Sequence, residues 1–219
     1  LRVTGATGDT TFQDYTFRGF DFIFTRLPYF RKQAAEFGPQ NLGYGRMIDM
    51  RELDHCGGLG AALDRLNAKK PDPRYKEGID LTTAHIMTKQ LRLPDGTLAR
   101  PRPMPVALWI DDAYMSIPFL AQMGKTTGDA KYFDDAARQV IGMSARLFNR
   151  ENGLFDHSWF AEMDDDARFY WGRGGGWMMM AMAELLSVLP ETHADRGKVL
   201  EIFRRGARGA AETQGSIGL

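Results

Sequence analysis

Apolar residues recur at helical spacing along most of this chain. Leu59, Leu63 and Leu66 share one side of a predicted helix that follows residues 54–57, and a Pro-rich turn leads to a second predicted helix through Met87. Side chains three and four positions apart lie on the same side of an α-helix. This segment is therefore predicted to be a pair of packed helices, an αα-hairpin.

The same arrangement recurs twice more. One apolar helix is predicted over residues 115–123 and another over 177–189, and each is followed by an amphipathic helix. Polar residues precede the three apolar helices at Asp54, Asp111 and Arg173, with a period of about sixty residues rather than the 34 of tetratricopeptide repeats. An apolar inner helix beside an amphipathic outer helix is expected in a helical toroid or solenoid. Because strand patterns are almost absent, the predicted fold class is all-α.

The N-terminal pattern is weaker. Residues 1–11 are rich in Gly and Thr and lack the Gly-Lys-Ser/Thr ending of a phosphate loop, so they are predicted to form a turn or a frayed terminus. Apolar residues over 12–35 recur at helical spacing, and Pro28 is predicted to break that helix.

The composition excludes several classes of function. Lysine and arginine together number 28, as do aspartate and glutamate, so no charged surface for nucleic acid or an anionic membrane is expected. No apolar run reaches the roughly 18 residues of a spanning helix. Cys56 is the single cysteine, which excludes an internal disulfide and a thiolate zinc site. No cofactor or metal is predicted. Because the chain begins at Leu1 rather than Met, a processed or incomplete N-terminus is expected, and the compartment and oligomeric state stay open.

The repeat predicts where the polar side chains meet. If the hairpins are equivalent, Asp54 with His55, Asp111 and Arg173 lie at the same end of the inner helices. The loops that enter these helices belong to that end and carry Asp95-Gly96, Arg100, Arg102, His157 and Trp159. Positive helix ends with arginines, tryptophans and carboxylates predict a pocket for an anionic, ring-shaped ligand.

Five motifs in collinear order carry a family resemblance. They are WIDDAYMSIPFLA at 109–121, TGDAKY at 127–132, GLFDHSW at 153–159, WGRGGGW at 171–177 and LPETH at 189–193. Together they resemble glycoside hydrolase family 105, the unsaturated rhamnogalacturonyl and related unsaturated uronyl hydrolases, which is close to the family 88 unsaturated glucuronyl hydrolases. The resemblance covers roughly residues 45–205.

The resemblance implies an (α/α)6 barrel of twelve helices, whereas the pattern predicts only about seven helical segments. We therefore expect a single (α/α)6-barrel catalytic domain over residues 1–219 that is truncated or lacks segments, around 38–45 and at 214–215. Gly175 stands where the family is expected to have Asn, which is a departure at one pocket contact.

The implied reaction removes a 4,5-unsaturated uronic acid from the non-reducing end of an oligosaccharide made by a pectin or related lyase. A proton is added at C4 of the double bond, the cation at C5 is stabilised by the ring oxygen, and water then adds at C5. The resulting hemiketal opens and releases the rest of the chain. One carboxyl group can donate the first proton and accept one from water, unlike the two opposed carboxylates of ordinary glycosidases.

By motif match, Asp111 is the implied general acid/base, and the alternative is that Asp111 only caps a helix. Asp112 is adjacent and does not face the same way, so it is expected to cap the helix or to pair elsewhere. Seven residues are implied to bind the substrate: Asp54, His55, Trp109, His157, Trp159, Arg173 and Trp177.

Each of these seven residues also has a structural interpretation. Asp54 and His55 could be a helix cap beside a half-buried histidine, and His157 could be a structural histidine rather than one that orients water or a sugar hydroxyl. Arg173 could bind the sugar carboxylate with its fork of donors or lock a loop. Tryptophan stacks on sugars and also fills cores, so only some of the four tryptophans are expected in the pocket.

Other polar and apolar clusters are predicted to be structural. Residues 164–166 are three aspartates without ligand partners at EF-hand spacing, so a solvated turn is expected rather than a metal site. The methionines at 178–180 and 182 are expected to pack in the core. The glycines of 172–176 are expected to permit a close approach of the backbone to a ligand or to a neighbouring helix.

The sequence leaves two other functions open. One is a conventional two-carboxylate (α/α)6 glycosidase acting on saturated sugars, with Asp54 or Asp112 as the second carboxylate. The other is a helical scaffold or carbohydrate-binding module that binds sugar without turnover. The sugar that occupies the adjoining subsite is also left open.

Overall fold

The structure, a computed structural model, describes residues 1–39, 45–163 and 169–216. The predicted solvated turn at 164–166 lies outside the described residues. Nine α-helices lie within the described ranges: α1 Arg2–Thr7, α2 Thr11–Phe37, α3 Gly45–Ile48, α4 Gly57–Lys69, α5 Pro73–Ala84, α6 Ile117–Thr127, α7 Ala130–Leu147, α8 Gly172–Leu186 and α9 Arg196–Thr213.

Three successive helix pairs form the body of the described structure. The inner helices α4, α6 and α8 pack side by side in that order, and α5, α7 and α9 each pack against the inner helix that precedes them. The predicted hairpins and the all-α class are therefore confirmed. The core runs through α6, where Phe119 and Leu120 are fully buried.

Local sequence explains where the outer helices begin. The Asp72 side chain accepts a hydrogen bond from the Arg74 N–H at the start of α5, and Asp129 accepts one from the Lys131 N–H at the start of α7. A carboxylate at this position satisfies a free donor of the first turn and also favours the positive end of the helix. The capping aspartates thus mark the starts of α5 and α7.

The N-terminal predictions are wrong in two respects. Residues 2–7 form the short helix α1 instead of a turn, and α2 continues through Pro28 to Phe37. A proline removes one backbone donor from a helix. Here the turn before it is held by packing, because Phe24 and Leu27 are buried and the Phe24 ring lies 5.6 Å from the Tyr75 ring of α5. None of the described helices is long and apolar enough to span a membrane.

A two-stranded antiparallel ribbon is present that the pattern did not predict. Strand β1 is Ala107–Trp109 and strand β2 is Ser158–Phe160, with Leu108 opposite Trp159. Strands of three residues are too short to give an alternating pattern in the sequence. The ribbon joins the two long loops at the end of the inner helices where the polar residues were predicted to meet.

Candidate active site

The ribbon places Asp111 and His157 next to each other. A 3₁₀ turn, Ile110–Ala113, follows β1 and carries Asp111, while His157 immediately precedes β2. The Ile110 N–H donates to the His157 carbonyl oxygen at 2.9 Å, and the His157 N–H donates to the Phe169 carbonyl oxygen at 3.0 Å. The backbone on both sides of His157 is therefore fixed.

The side chains of Asp111 and His157 face each other without forming a hydrogen bond. The Asp111 Oδ2 atom lies 3.6 Å from the His157 Nδ1 atom, and the side chains are 18% and 17% exposed. Neither atom has a hydrogen-bond partner in the described structure, although both are buried. Buried polar atoms are normally paired, so a carboxylate and an imidazole with free capacity are suited to receive a polar ligand.

Aromatic rings surround the His157 imidazole. The ring centroids of Trp109, Phe169 and Trp171 lie 5.6, 5.1 and 4.9 Å from that of His157. Burial lowers the pKa of His157 below its ordinary value of 6.5, and the charge of Arg100 lowers it further, whereas the Asp111 carboxylate opposes this shift. The imidazole is therefore neutral at neutral pH.

Arg100 links three other groups of the site. Its guanidinium donates two hydrogen bonds to Asp112, of 2.9 and 2.5 Å, and one of 3.2 Å to Asp54. The Arg100 Cζ atom also lies 4.1 Å from the Trp109 ring centroid. Burial raises the pKa of Asp112 to about 6, against the opposing effect of Arg100. Asp112 thus pairs elsewhere, as one of its two predicted roles requires.

Asp54 and His55 lie on a 3₁₀ turn, Leu53–His55, that precedes α4. Asp54 is exposed and reaches the site through Arg100, whereas His55 is half-buried and its Nδ1 accepts a hydrogen bond from the Arg51 N–H at 3.3 Å. Glu52, on the same segment, is ion-paired with Arg102, which lies beside Trp109. The segment therefore forms the wall of the site next to Trp109.

Arg173 and Trp177 come from the first turns of α8. The exposed Arg173 guanidinium lies over the Trp171 ring, with Cζ 4.1 Å from its centroid. Within the described ranges no carboxylate lies at ion-pairing distance from Arg173, in contrast to Arg100 and Arg102. Trp177 packs against Tyr114, with ring centroids 4.9 Å apart.

Trp159 is turned away from this cluster. It pairs with Leu108, whereas Trp109 pairs with Ser158, and successive side chains of a strand point to opposite faces. The Arg146 Cζ atom lies 5.4 Å from the Trp159 ring on that other face. The structure therefore brings Trp109, but not Trp159, next to Asp111 and His157.

Two glycines permit the close approach of elements behind the site. A Cβ atom added at Gly57 would overlap the Met115 carbonyl group, and one at Gly174 would lie 2.7 Å from the Ile110 side chain. By contrast, a Cβ at Gly175 meets no heavy atom within 4 Å, and this residue lines a groove between α8 and α9. Of the methionines assigned to the core, Met178 and Met182 are buried, but Met180 is 49% exposed.

Several site residues were missed by the sequence reasoning. Phe169 packs against His157 and was assigned no role. Trp171 and Arg100 were expected among the pocket side chains, but the contact of Trp171 with His157 and the pairing of Arg100 with Asp112 were not predicted. For Trp171 the signal was present, because it opens the same motif as Arg173. For Arg100 no local signal exists, since burial of an arginine depends on carboxylates that lie far away in the chain.

The chain is similar to known carbohydrate-active proteins. The sequence profile of Glycosyl Hydrolase Family 88 matches residues 1–219. An unsaturated 3S-rhamnoglycuronyl hydrolase of Alteromonas sp. (strain LOR) is 33% identical over 109 residues, which is 48% of this chain and 26% of that protein. The unsaturated rhamnogalacturonyl hydrolase YesR of Bacillus subtilis (strain 168) is 27% identical over 141 residues, 62% of this chain and 41% of that protein.

Solved structures give the same result for the fold. A family 105 glycoside hydrolase of C. acetobutylicum ATCC 824 matches 75% of this chain and 47% of its own, with 25% identity and a TM-score of 0.68. A possible family 105 member from Salmonella enterica matches 98% of this chain and 53% of its own, with 19% identity and a TM-score of 0.74. The predicted (α/α)6-type fold and the family resemblance are confirmed. The chain spans about half the length of these solved structures and less than half of the two curated relatives.

Proposed function

Because the chain belongs to glycosyl hydrolase family 88, we propose that it acts in removing a 4,5-unsaturated uronic acid from the non-reducing end of lyase-generated oligosaccharides of the pectin or rhamnogalacturonan type. The observation that carries this proposal is the pair of facing, unpartnered side chains of Asp111 and His157 in an aromatic-lined site. The names of two relatives, an unsaturated 3S-rhamnoglycuronyl hydrolase and an unsaturated rhamnogalacturonyl hydrolase, support this substrate class.

In the proposed reaction Asp111 is the general acid/base. Its carboxyl group donates a proton to C4 of the double bond, and the electrons of the double bond form the new C–H bond. The cation left at C5 is stabilised by the ring oxygen, and the Asp111 carboxylate then accepts a proton from the water that attacks C5. Opening of the hemiketal releases the aglycone.

His157 is proposed to orient that water or a ring hydroxyl. Its imidazole is neutral at neutral pH because burial lowers its pKa, so one ring nitrogen can accept and the other can donate. The 3.6 Å separation from Asp111 leaves both groups free to bind the same small polar ligand. A charged imidazolium would instead pair with the carboxylate.

Arg173 is proposed to bind the carboxylate of the unsaturated sugar. Its guanidinium is exposed and has no carboxylate partner in the described structure, whereas Arg100 and Arg102 are already paired. A planar guanidinium can make two parallel hydrogen bonds to a carboxylate. Trp109, Trp171 and Trp177 are each half-buried, and the exposed parts of their rings are proposed to contact the sugar.

Asp54 and His55 are proposed to contact hydroxyl groups of the substrate. The exposed Asp54 carboxylate has acceptor capacity beyond its one hydrogen bond to Arg100. A conventional two-carboxylate mechanism with Asp112 as the second carboxylate is less well supported, because Asp112 is buried with both oxygens bonded to Arg100. Asp112 cannot reach a glycosidic bond from that position.

The test is turnover of a small panel of lyase-generated disaccharides that differ in the aglycone. The expected result is loss of the ultraviolet absorbance of the conjugated double bond, with release of the aglycone. Saturated disaccharides of the same sugars serve as the control. Activity on the saturated sugars alone would favour the two-carboxylate glycosidase, and binding without any turnover would favour a carbohydrate-binding protein.

A further inference from the structure

Arg100 is the most completely buried cation of the described structure. It pairs with Asp112, the residue after the proposed acid/base Asp111, and the proposed reaction gives it no role. Its side chain is 2% exposed and that of Asp112 is 1% exposed. Taking two charges out of water costs several kcal/mol per ion, and their attraction offsets this cost only where the geometry is good. A buried ion pair is therefore weak evidence for stabilisation of the core, and the position of this pair next to Asp111 suggests a role in the site.

The Arg100 backbone is tied to the strand that leads into the site. The Arg100 N–H donates to the Ala107 carbonyl oxygen, and the Ala107 N–H donates to the Arg100 carbonyl oxygen, both at 2.9 Å. Ala107 begins β1, which continues through Trp109 to the turn that carries Asp111. The backbone of Arg100 thus fixes the start of the catalytic segment.

The Arg100 side chain fixes the other end of the same segment. Its Nε and Nη2 atoms donate to the two oxygens of Asp112, the residue after Asp111. Its Nη2 atom also donates to Asp54 on the neighbouring wall. Its Cζ atom lies over the Trp109 ring, 4.1 Å from the ring centroid. One guanidinium therefore sets the relative positions of Trp109, of the turn that holds Asp111, and of Asp54.

We propose that Arg100 is a positioning residue of this site: through Asp112, Asp54 and Trp109 it holds Asp111 and the neighbouring wall of the site in one arrangement. The inference rests on the proposed function, since it assigns Asp111 the proton transfer. Arg100 itself does not touch the reacting atoms in this account.

The chain offers a matched control for this inference. Arg92 also donates two hydrogen bonds to one largely buried carboxylate, with distances of 2.9 and 2.7 Å to the two oxygens of Asp135. Asp135 lies on the outer helix α7, and neither residue belongs to the site. The Arg100→Lys and Arg92→Lys variants both keep the positive charge and lose the fork of donors.

The experiment compares the two variants in thermal unfolding and in turnover of an unsaturated disaccharide. We expect both to lose stability, but only Arg100→Lys to lose about 10²-fold in kcat, as expected when a reacting group is displaced by about 1 Å. KM is expected to change less than kcat. Equal losses of kcat in both variants, or an unchanged kcat in Arg100→Lys, would overturn the inference.

A second readout does not require turnover. The indole N–H resonance of Trp109, assigned with a Trp109→Phe variant, is expected to shift in Arg100→Lys and to stay in place in Arg92→Lys. If no unsaturated sugar is turned over by the natural chain, the proposed function fails while this shift still tests the positioning. An unmoved resonance would contradict the inference.

A milder pair of variants covers the case in which Arg100→Lys does not fold. Asp112→Asn and Asp135→Asn keep the shape of each pair and leave one acceptor oxygen. A fall in kcat and a shifted Trp109 resonance in Asp112→Asn, but not in Asp135→Asn, is the expected result. The same response in both variants would overturn the inference.

Discussion

At the scale of single residues, burial and a neighbouring carboxylate have opposite effects on the pKa of His157. Its imidazole lies among three aromatic rings and opposite a carboxylate, and burial outweighs the carboxylate in setting the direction of the pKa shift. The folded protein therefore binds a proton to His157 less readily than the unfolded chain does. This has a consequence for the stability of the protein.

We predict that the His157→Gln variant loses less stability on acidification than the natural chain does. As the pH falls below 6.5, the unfolded chain takes up the proton at His157 before the folded protein does, which lowers the free energy of unfolding. The contribution is ~1.4 kcal/mol for each unit by which the pKa is lowered, and it is absent well above pH 6.5.

The measurement is urea unfolding of the natural chain and His157→Gln at pH 7.5 and pH 5. The variant is expected to lose less stability between these two pH values than the natural chain does. An equal or larger loss in the variant would show that His157 is not the titrating group.

The start of α4 lies very close to the backbone at Met115, which follows the turn that carries Asp111. Gly57, the first residue of α4, lies against the Met115 carbonyl group, so that a methyl group has no room there and the obstacle is backbone. Gly58, the next residue, faces open space. The contact holds the Asp54 segment against the turn after Asp111.

We predict that Gly57→Ala destabilises the protein by ~1–3 kcal/mol or more, because the two elements must separate. Gly58→Ala is the matched control and is expected to be neutral or to stabilise by ~0.5–1 kcal/mol, since alanine is the better helix former. Chemical unfolding of the two variants gives the comparison. Similar effects of both changes would show that the Gly57 contact does not constrain these elements.

At the scale of the whole molecule, α6 is the central inner helix of the three hairpins. It packs against α4 on one side, α8 on the other and α7 outside, and its Phe119 ring is fully buried. Loss of that ring leaves a cavity in the helix against which α4, α7 and α8 all pack. A single cooperative core therefore underlies the site.

We predict that Phe119→Ala lowers the free energy of unfolding by ~3–5 kcal/mol. Phe12→Ala, in which the replaced ring is 49% exposed on α2, is the control and is expected to change it by no more than ~0.5 kcal/mol. Calorimetry of both variants measures the difference. A small effect at Phe119 would mean that the hairpins unfold independently.

The repeat of apolar and amphipathic helices was sufficient to predict the hairpins, because burial on an inner helix imposes a pattern that the sequence displays. The helix ends carrying Asp111 and Arg173 followed from that repeat. What could not be predicted are features set by distant contacts. The continuation of α2 through Pro28 depends on Tyr75, and the burial of Arg100 depends on Asp112 and Asp54.

Trp159 is another residue whose position could not be predicted from the sequence pattern. Its motif is adjacent to His157, yet a three-residue strand turns its ring to the opposite face of the ribbon. The side on which a residue lies depends on the strand register, which the pattern did not reveal. Proximity in the sequence to a candidate site residue was therefore an insufficient guide to the side on which Trp159 lies.

The central claim is that Asp111 transfers the proton to the double bond. The most direct measurement follows the ultraviolet absorbance of an unsaturated disaccharide with the natural chain, with Asp111→Asn and with the control Asp80→Asn, whose side chain lies on the exposed surface of α5. We expect the natural chain and Asp80→Asn to consume the double bond, and Asp111→Asn to fold with the same unfolding midpoint and to leave the absorbance unchanged. Continued consumption by a folded Asp111→Asn variant would contradict the central claim.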